Sequence, residues 1–211
     1  MELPFDVKEA DEALAQADQH MAKIIARYGP CQMTIRPVSS PFESLFRSII
    51  FQQLSTASAT AIYNRVAALF ADEIPTPTAA LALSDEAMRG AGMSKQKIAY
   101  TRDLAAKSDE GVVPTLAELH TLSDEEILSR LTSVKGIGRW TVEMLLMFSL
   151  GRPDVLPSTD LVIRKGFQQV YGHEELPKPK EIDKFGERWR PYRTIASWYL
   201  WRVIDGDNDA W

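Results

Sequence analysis

Val134-Lys135-Gly136-Ile137-Gly138-Arg139-Trp140-Thr141, followed beyond one helical stretch by Leu156-Pro157-Ser158-Thr159-Asp160, is the part of this chain that decides how the rest is read. A Gly-x-Gly turn between two helical patterns brings backbone N–H groups forward with no Cβ to keep a phosphate away, and both Gly136 and Gly138 can adopt positive φ. A helix starting near Arg139 has unpaired N–H groups at its N-terminus and a dipole that favours an anion there. Lys135 and Arg139 add positive charge. Contacts of this kind position a duplex without reading its bases. An ordinary helix–helix turn is the plainer alternative.

Asp160 and Thr159 sit where the helical pattern Leu161 to Tyr171 begins. Either could be its N-cap. A second reading is chemical: the positive helix end keeps the carboxylate ionised, ready to stabilise a cationic sugar or orient a water. Turn and aspartate together point to a protein that grips a DNA backbone and acts on one nucleotide.

The surrounding pattern is helical nearly throughout. Val7 to Tyr28 has apolar residues at helical spacing, and Gly29-Pro30 stops it. Met33 to Arg36 looks extended, and Pro37 ends it. Phe42 to Phe70 is a long apolar helical region that the less regular Phe51-Gln52-Gln53-Leu54-Ser55-Thr56 divides in two. Thr141 to Leu150, Leu161 to Tyr171 and Pro191 to Ile204 complete the set, with Gly151 and Gly172 as stops. Ser84-Asp85-Glu86 leading through Gly90-Ala91-Gly92 to Lys95 resembles Ser123-Asp124-Glu125 leading through the Gly-x-Gly to Arg139. Both read as helix, glycine turn, helix, although so short a repeat also arises by chance. Ser123 with Glu126 fits a capping box. No segment alternates as a strand does, so the fold class is all-α.

Composition narrows the chemistry. The chain has 211 residues, enough for one large domain or two small lobes. One cysteine, Cys31, excludes a disulfide scaffold, a four-cysteine metal site and a four-cysteine iron–sulfur cluster. His20, His120 and His173 form no ligand pattern. No apolar run is long enough to span a membrane, and Met1 to Asp6 lack the parts of a signal peptide, so a cytoplasmic address is expected. The net charge is −5, but it is unevenly spread. Acids gather at Glu2, Asp6, Glu9, Asp11, Glu12 and Asp18 and in the tail at Asp205, Asp207 and Asp209. From Lys135 to Arg202 bases outnumber acids, which fits either a solvated helical surface or a nucleic-acid face. Trp198 and Trp201, three residues apart on the last helix, fit a core cluster or an aromatic slot for a flipped base, with Trp140, Trp189 and Tyr192 as neighbours.

The stretches Leu131 to Val142 and Leu156 to Leu161 together resemble the helix-hairpin-helix, Gly-Pro-Asp superfamily of DNA glycosylases, most closely its 3-methyladenine DNA glycosylase II branch. Pro41 to Ser55, Lys95-Gln96-Lys97 and Trp189 to Arg202 support the resemblance, which runs from about Pro41 to Arg202. It implies a single domain, 1–211, of two helical lobes, about 41–150 and about 1–40 plus 151–211, with the active cleft between them. Asp160 matches the family's catalytic aspartate. Gln53 matches the residue that wedges into the duplex where the base leaves, and Trp201 matches a base-pocket tryptophan. Trp140, Met144 and Trp198 would complete the pocket. Lys135, Gly136, Gly138, Arg139 and Thr141 would hold the DNA backbone, often with an alkali-metal ion on hairpin carbonyls such as those of Val134 and Gly136. No catalytic metal or cofactor is implied.

The departures from the pattern are informative. Bifunctional relatives carry a lysine nucleophile where this chain has Trp140, so no Schiff base and no strand cleavage are expected. Met144 stands where some relatives place a pocket tyrosine, so base stacking would differ. The β-rich N-terminal domain of larger relatives is not expected. The resemblance implies a monomer, nucleoid-associated if bacterial, that flips alkylated purines such as 3-methyladenine out of double-stranded DNA and hydrolyses their N-glycosidic bond. A non-catalytic damaged-DNA-binding module with the same hairpin is the alternative; it would need the glycines but not Asp160.

Overall fold

The computed structural model of the protein describes residues 2–36 and 40–206. Pro37, Asp207 and Asp209, named above as a stop and as tail acids, lie outside them. The described residues form thirteen α-helices and no strand, so the fold is all-α. None of these helices is long and apolar enough to cross a membrane. Two compact units divide the chain, Met1–Pro37 with Leu146–Trp211, and Val38–Leu145.

The first unit holds α1 (Val7–Ala17), α2 (Gln19–Tyr28), α11 (Leu161–Tyr171), α12 (Pro179–Gly186) and α13 (Arg193–Asp205). The single N-terminal helix expected from Val7 to Tyr28 is broken at Asp18. Its backbone is extended there, and its carboxylate caps α2 by accepting from His20 and Met21 N–H at 2.9 and 3.4 Å. The other oxygen of Asp18 accepts from the Tyr171 hydroxyl at 2.6 Å and the Trp189 indole at 3.0 Å. Burial raises the pKa of this carboxyl, but the hydrogen bonds from Tyr171, Trp189 and the two amides outweigh it and hold the group below its ordinary value. Asp11 is the counterpart on α1, accepting from Tyr199 of α13 at 2.9 Å and Cys31 N–H at 3.2 Å. There burial dominates, and the pKa rises. α11 and α13 pack so closely that a Cβ on Gly166 would stand 2.3 Å from the Leu200 carbonyl oxygen.

The second unit is a set of short helices: α3 (Pro41–Phe51), α4 (Thr56–Ala67), α5 (Pro77–Ala82), α6 (Asp85–Gly90), α7 (Lys95–Asp109), α8 (Leu116–Thr121), α9 (Asp124–Thr132) and α10 (Arg139–Phe148), whose last turn belongs to the other unit. Each from α3 to α9 begins at a serine or threonine whose hydroxyl accepts a first-turn amide: Ser40, Ser55, Thr76, Ser84, Ser94, Thr115 and Ser123. Those caps define short helices that would be marginal alone. Packing supplies the rest. α3 buries Phe42, Leu45, Phe46, Ile49 and Ile50, and α7 packs against both α3 and α5. The Ser123–Glu126 capping box is present, and Thr115 forms a second with Glu118. The two similar stretches are both helix, glycine turn, helix, with Gly92 at φ +106° and Gly136 at φ +83°.

Candidate active site

The hairpin between α9 and α10 is built on Gly136. Its φ of +83° excludes most side chains, and a Cβ there would fall 2.2 Å from the Tyr100 ring. Gly138 differs from expectation: its φ is not positive, and a Cβ there would meet open space. The two glycines therefore serve different ends, one satisfying the backbone and the other leaving the approach to the helix clear. Among the described residues, no acceptor serves the N–H groups of Gly138, Arg139 or Thr141. They form the anion-receptive start of the ten-residue α10.

The two hairpin cations are less available than the sequence implies. The Lys135 ammonium pairs with Asp103 at 3.4 Å, and its backbone N–H donates to the same carboxylate at 2.8 Å. Lys107 pairs with Asp103 as well, at 3.0 Å, and donates to the Ser133 carbonyl. Burial pushes the Asp103 pKa up, but the Lys135 amide and the two ammoniums bring it below its ordinary value. Arg139 pairs with the buried Glu143 at 2.7 Å. These carboxylates fix the cations beside the turn and lower the net charge there.

The loop after α3 is held against the hairpin. Gln52 donates its side-chain amide to the Gly136 carbonyl at 2.7 Å. The Lys97 ammonium donates to the carbonyls of Ile50 and Gln52 at 2.6 and 2.9 Å, and its burial lowers its pKa. Gln53 follows at φ +58°, uncommon for a residue with a Cβ, and is exposed. Leu54 beside it is 40% exposed. Sequence reasoning had passed over Leu54; an apolar side chain at the tip of a strained, braced loop is the signal for a wedge between bases.

A cavity of about 430 Å³ in this unit brings Trp140, Thr141 and Met144 of α10 together with Gln53. α3 supplies Ser44, Arg47 and Phe51. Trp140 is 43% exposed. Sequence reasoning missed Arg47, which one turn of helix places beside Phe51.

Trp198 and Trp201 belong to the other unit, where both are buried. The Trp201 indole N–H donates to Asp160 Oδ1 at 3.4 Å, and its ring lies 5.8 Å from that of Phe148. Trp198 lies under the Arg202 guanidinium at 4.8 Å. Trp189 packs elsewhere, with Phe167, Tyr171 and Phe185, and the Tyr192 ring lies tilted 6.0 Å from that of Phe5.

Asp160, not Thr159, is the N-cap of α11. Its Oδ1 accepts from Val162 and Ile163 N–H at 2.7 and 2.9 Å. Its own amide donates to the Pro157 carbonyl at 2.9 Å. The structural and chemical readings of Asp160 are compatible, because the cap bonds that start the helix also fix the direction in which the carboxylate points. The hairpin carbonyls are engaged too: Val134 accepts from Ile137 N–H at 3.0 Å, and Gly136 accepts from Gln52. Each carbonyl keeps one further lone pair with which it could face an ion.

An all-α chain with a glycine hairpin feeding one helix, and an aspartate capping the next, has the architecture of a DNA-repair glycosylase. The chain belongs to the HhH-GPD superfamily of base excision DNA repair proteins, whose family model matches residues 46–191. It is 36% identical to DNA-3-methyladenine glycosylase 1 of Schizosaccharomyces pombe over 95% of this chain and 93% of that protein. The solved structure of the S. pombe 3-methyladenine DNA glycosylase in complex with abasic DNA superposes with a TM-score of 0.77 at 38% identity, covering 92% of this chain and 95% of that one. A DNA-3-methyladenine glycosidase from Bacillus halodurans superposes with a TM-score of 0.84 at 39% identity, covering 94% and 89%.

Proposed function

We propose that this chain is a monofunctional DNA glycosylase that hydrolyses the N-glycosidic bond of alkylated purines such as 3-methyladenine in duplex DNA. The observation that carries the reading is Asp160, an aspartate held by two backbone amides and an indole N–H, in a chain of the HhH-GPD superfamily. In this reading the hairpin amides take a backbone phosphate, and the loop at Gln53 and Leu54 fills the space the base vacates. Trp140 and Met144 receive the base. Extrusion costs a few kcal/mol, and less where damage weakens pairing. A ring-methylated purine carries positive charge, so it departs as a neutral base without strong acid help. Asp160 then stabilises the oxocarbenium-like sugar and orients the attacking water. Trp201 acts through Asp160 as a positioning residue. Trp140 stands where a Schiff-base lysine would be needed, so the reaction stops at an abasic site.

The same reading makes 1–211 one functional domain that works as a monomer in the cytoplasm, on the nucleoid if the source is bacterial. An alkali-metal ion on the second lone pairs of Val134 and Gly136 would add positive charge near the bound phosphate. The test is release of free bases from methylated duplex DNA by wild type and by Asp160→Asn, with borohydride added to trap any covalent adduct. Release of 3-methyladenine by wild type alone, with no trapped adduct, is expected. Duplex binding without release from any damaged substrate would overturn the reading in favour of a damage-binding module.

A further inference from the structure

Arg47 is placed unlike the other cations around it. Its guanidinium carbon stands 4.1 Å from the Phe51 ring centroid and 4.9 Å from that of Tyr63, on the wall of the cavity that contains Trp140 and Met144. Arg65 donates to the Ala91 carbonyl, Arg102 caps the end of α5, and Arg139 pairs with Glu143. Among the described residues, Arg47 forms no ion pair and donates no hydrogen bond. Glu43, one turn back on α3, accepts the Tyr63 hydroxyl at 3.2 Å. No carboxylate lines the cavity. Two aromatic faces thus hold a planar cation with its donors unspent at an otherwise largely apolar wall.

Such a group acts oppositely on two kinds of purine. When the bond from the sugar C1′ to the base nitrogen breaks, its electron pair goes to the base. A methylated, cationic purine becomes neutral. A neutral purine, such as hypoxanthine, becomes an anion until solvent supplies a proton, while water forms the new bond to C1′ and loses a proton. A guanidinium at the base edge stabilises that anion and matches the paired N7 and O6 acceptors of a 6-oxopurine. Beside a purine that already carries positive charge, it is unfavourable.

We propose that Arg47 is a specificity-determining residue, which meets the edge of the extruded purine and extends base release from methylated cations to neutral 6-oxopurines. The inference rests on the glycosylase reading above. It is tested by single-turnover release of hypoxanthine and of 7-methylguanine from otherwise identical duplexes, using wild type, Arg47→Met and Arg47→Lys. Methionine keeps an apolar stem against Phe51, and a melting curve for each variant checks folding. Arg47→Met is expected to slow hypoxanthine release by roughly a hundred- to a thousandfold, as removal of one transition-state donor does, and to speed 7-methylguanine release. Lysine should recover part of the hypoxanthine rate, since it restores charge without the fork.

An equal fall for both bases in Arg47→Met would overturn the inference alone. So would wild type that releases 7-methylguanine but no hypoxanthine. Weaker duplex binding in Arg47→Met with a salt slope reduced by about one would make Arg47 a phosphate contact instead, and overturn it too. Wild type that releases neither base nor 3-methyladenine would overturn the glycosylase reading and this inference with it.

Discussion

Gln52 joins the loop after α3 to the hairpin through a single 2.7 Å hydrogen bond from its side-chain amide to the Gly136 carbonyl. The part that would fill the duplex and the part that would hold its backbone are therefore one mechanical piece, with Lys97 bracing the loop from the other side. Gln52→Glu puts an acceptor against an acceptor and should release the loop. A loss of about 1 kcal/mol of stability is expected, the ordinary worth of one hydrogen bond. Base release should fall further than duplex binding does. Urea unfolding and single-turnover kinetics on one preparation check this, and unchanged kinetics would count against the coupling.

Asp160→Asn separates charge from capping. Asparagine is as good an N-cap as aspartate, so α11 should start normally. The lost negative charge should slow base release by roughly a hundredfold or more, the scale of one missing transition-state electrostatic partner. Asp160→Ala removes the cap as well and should cost about 1 kcal/mol beyond that. Comparing melting points and release rates across the two variants checks both halves. Equal stability loss in both would point to a purely structural aspartate.

The hairpin glycines should fail differently. Gly136→Ala forces a Cβ into the Tyr100 ring at a φ of +83° and should destabilise the fold by about 1–3 kcal/mol. Gly138→Ala meets open space at an ordinary φ and should fold well. Its methyl group would stand at the start of α10, where a phosphate must approach. Duplex affinity should drop in Gly138→Ala while its melting point stays close to wild type. Filter binding alongside thermal melts decides it.

Much of this was legible in the sequence because local chemistry carries it. The α3–α4 break at Gln52 and Gln53, the Ser123–Glu126 capping box and the Gly172 stop are each set within a few residues. The split at Asp18 was not, because its deciding partners, Tyr171 and Trp189, lie 153 and 171 positions away. Long-range pairing also hid the attenuation of Lys135 by Asp103, which is 32 residues distant. Arg47 was overlooked for a different reason: an arginine on an amphipathic helix reads as solvated until the rings that flank it are known.

Asp18 should set part of the acid limit of stability. Its Oδ1 accepts from two amides and its Oδ2 from a hydroxyl and an indole, so all four partners are donors. Asparagine, with one oxygen and one NH2, must set a donor against donors in either orientation. Asp18→Asn is expected to cost about 1–3 kcal/mol, the penalty for leaving buried polar groups unsatisfied. The same geometry fixes the sign with pH. The folded pKa of Asp18 lies below its unfolded value, so its contribution is full above the unfolded pKa and is lost as pH falls through the folded one. Asp11 runs the other way: its folded pKa is raised, so it opposes folding when ionised and eases as pH falls through that raised value. Wild type should therefore lose stability in acid more steeply than Asp18→Asn, and the gap between them should close toward the folded pKa of Asp18. Urea unfolding of both proteins from neutral pH down into the carboxylate range measures that gap, and a constant difference would show that Asp18 acts by packing instead of charge.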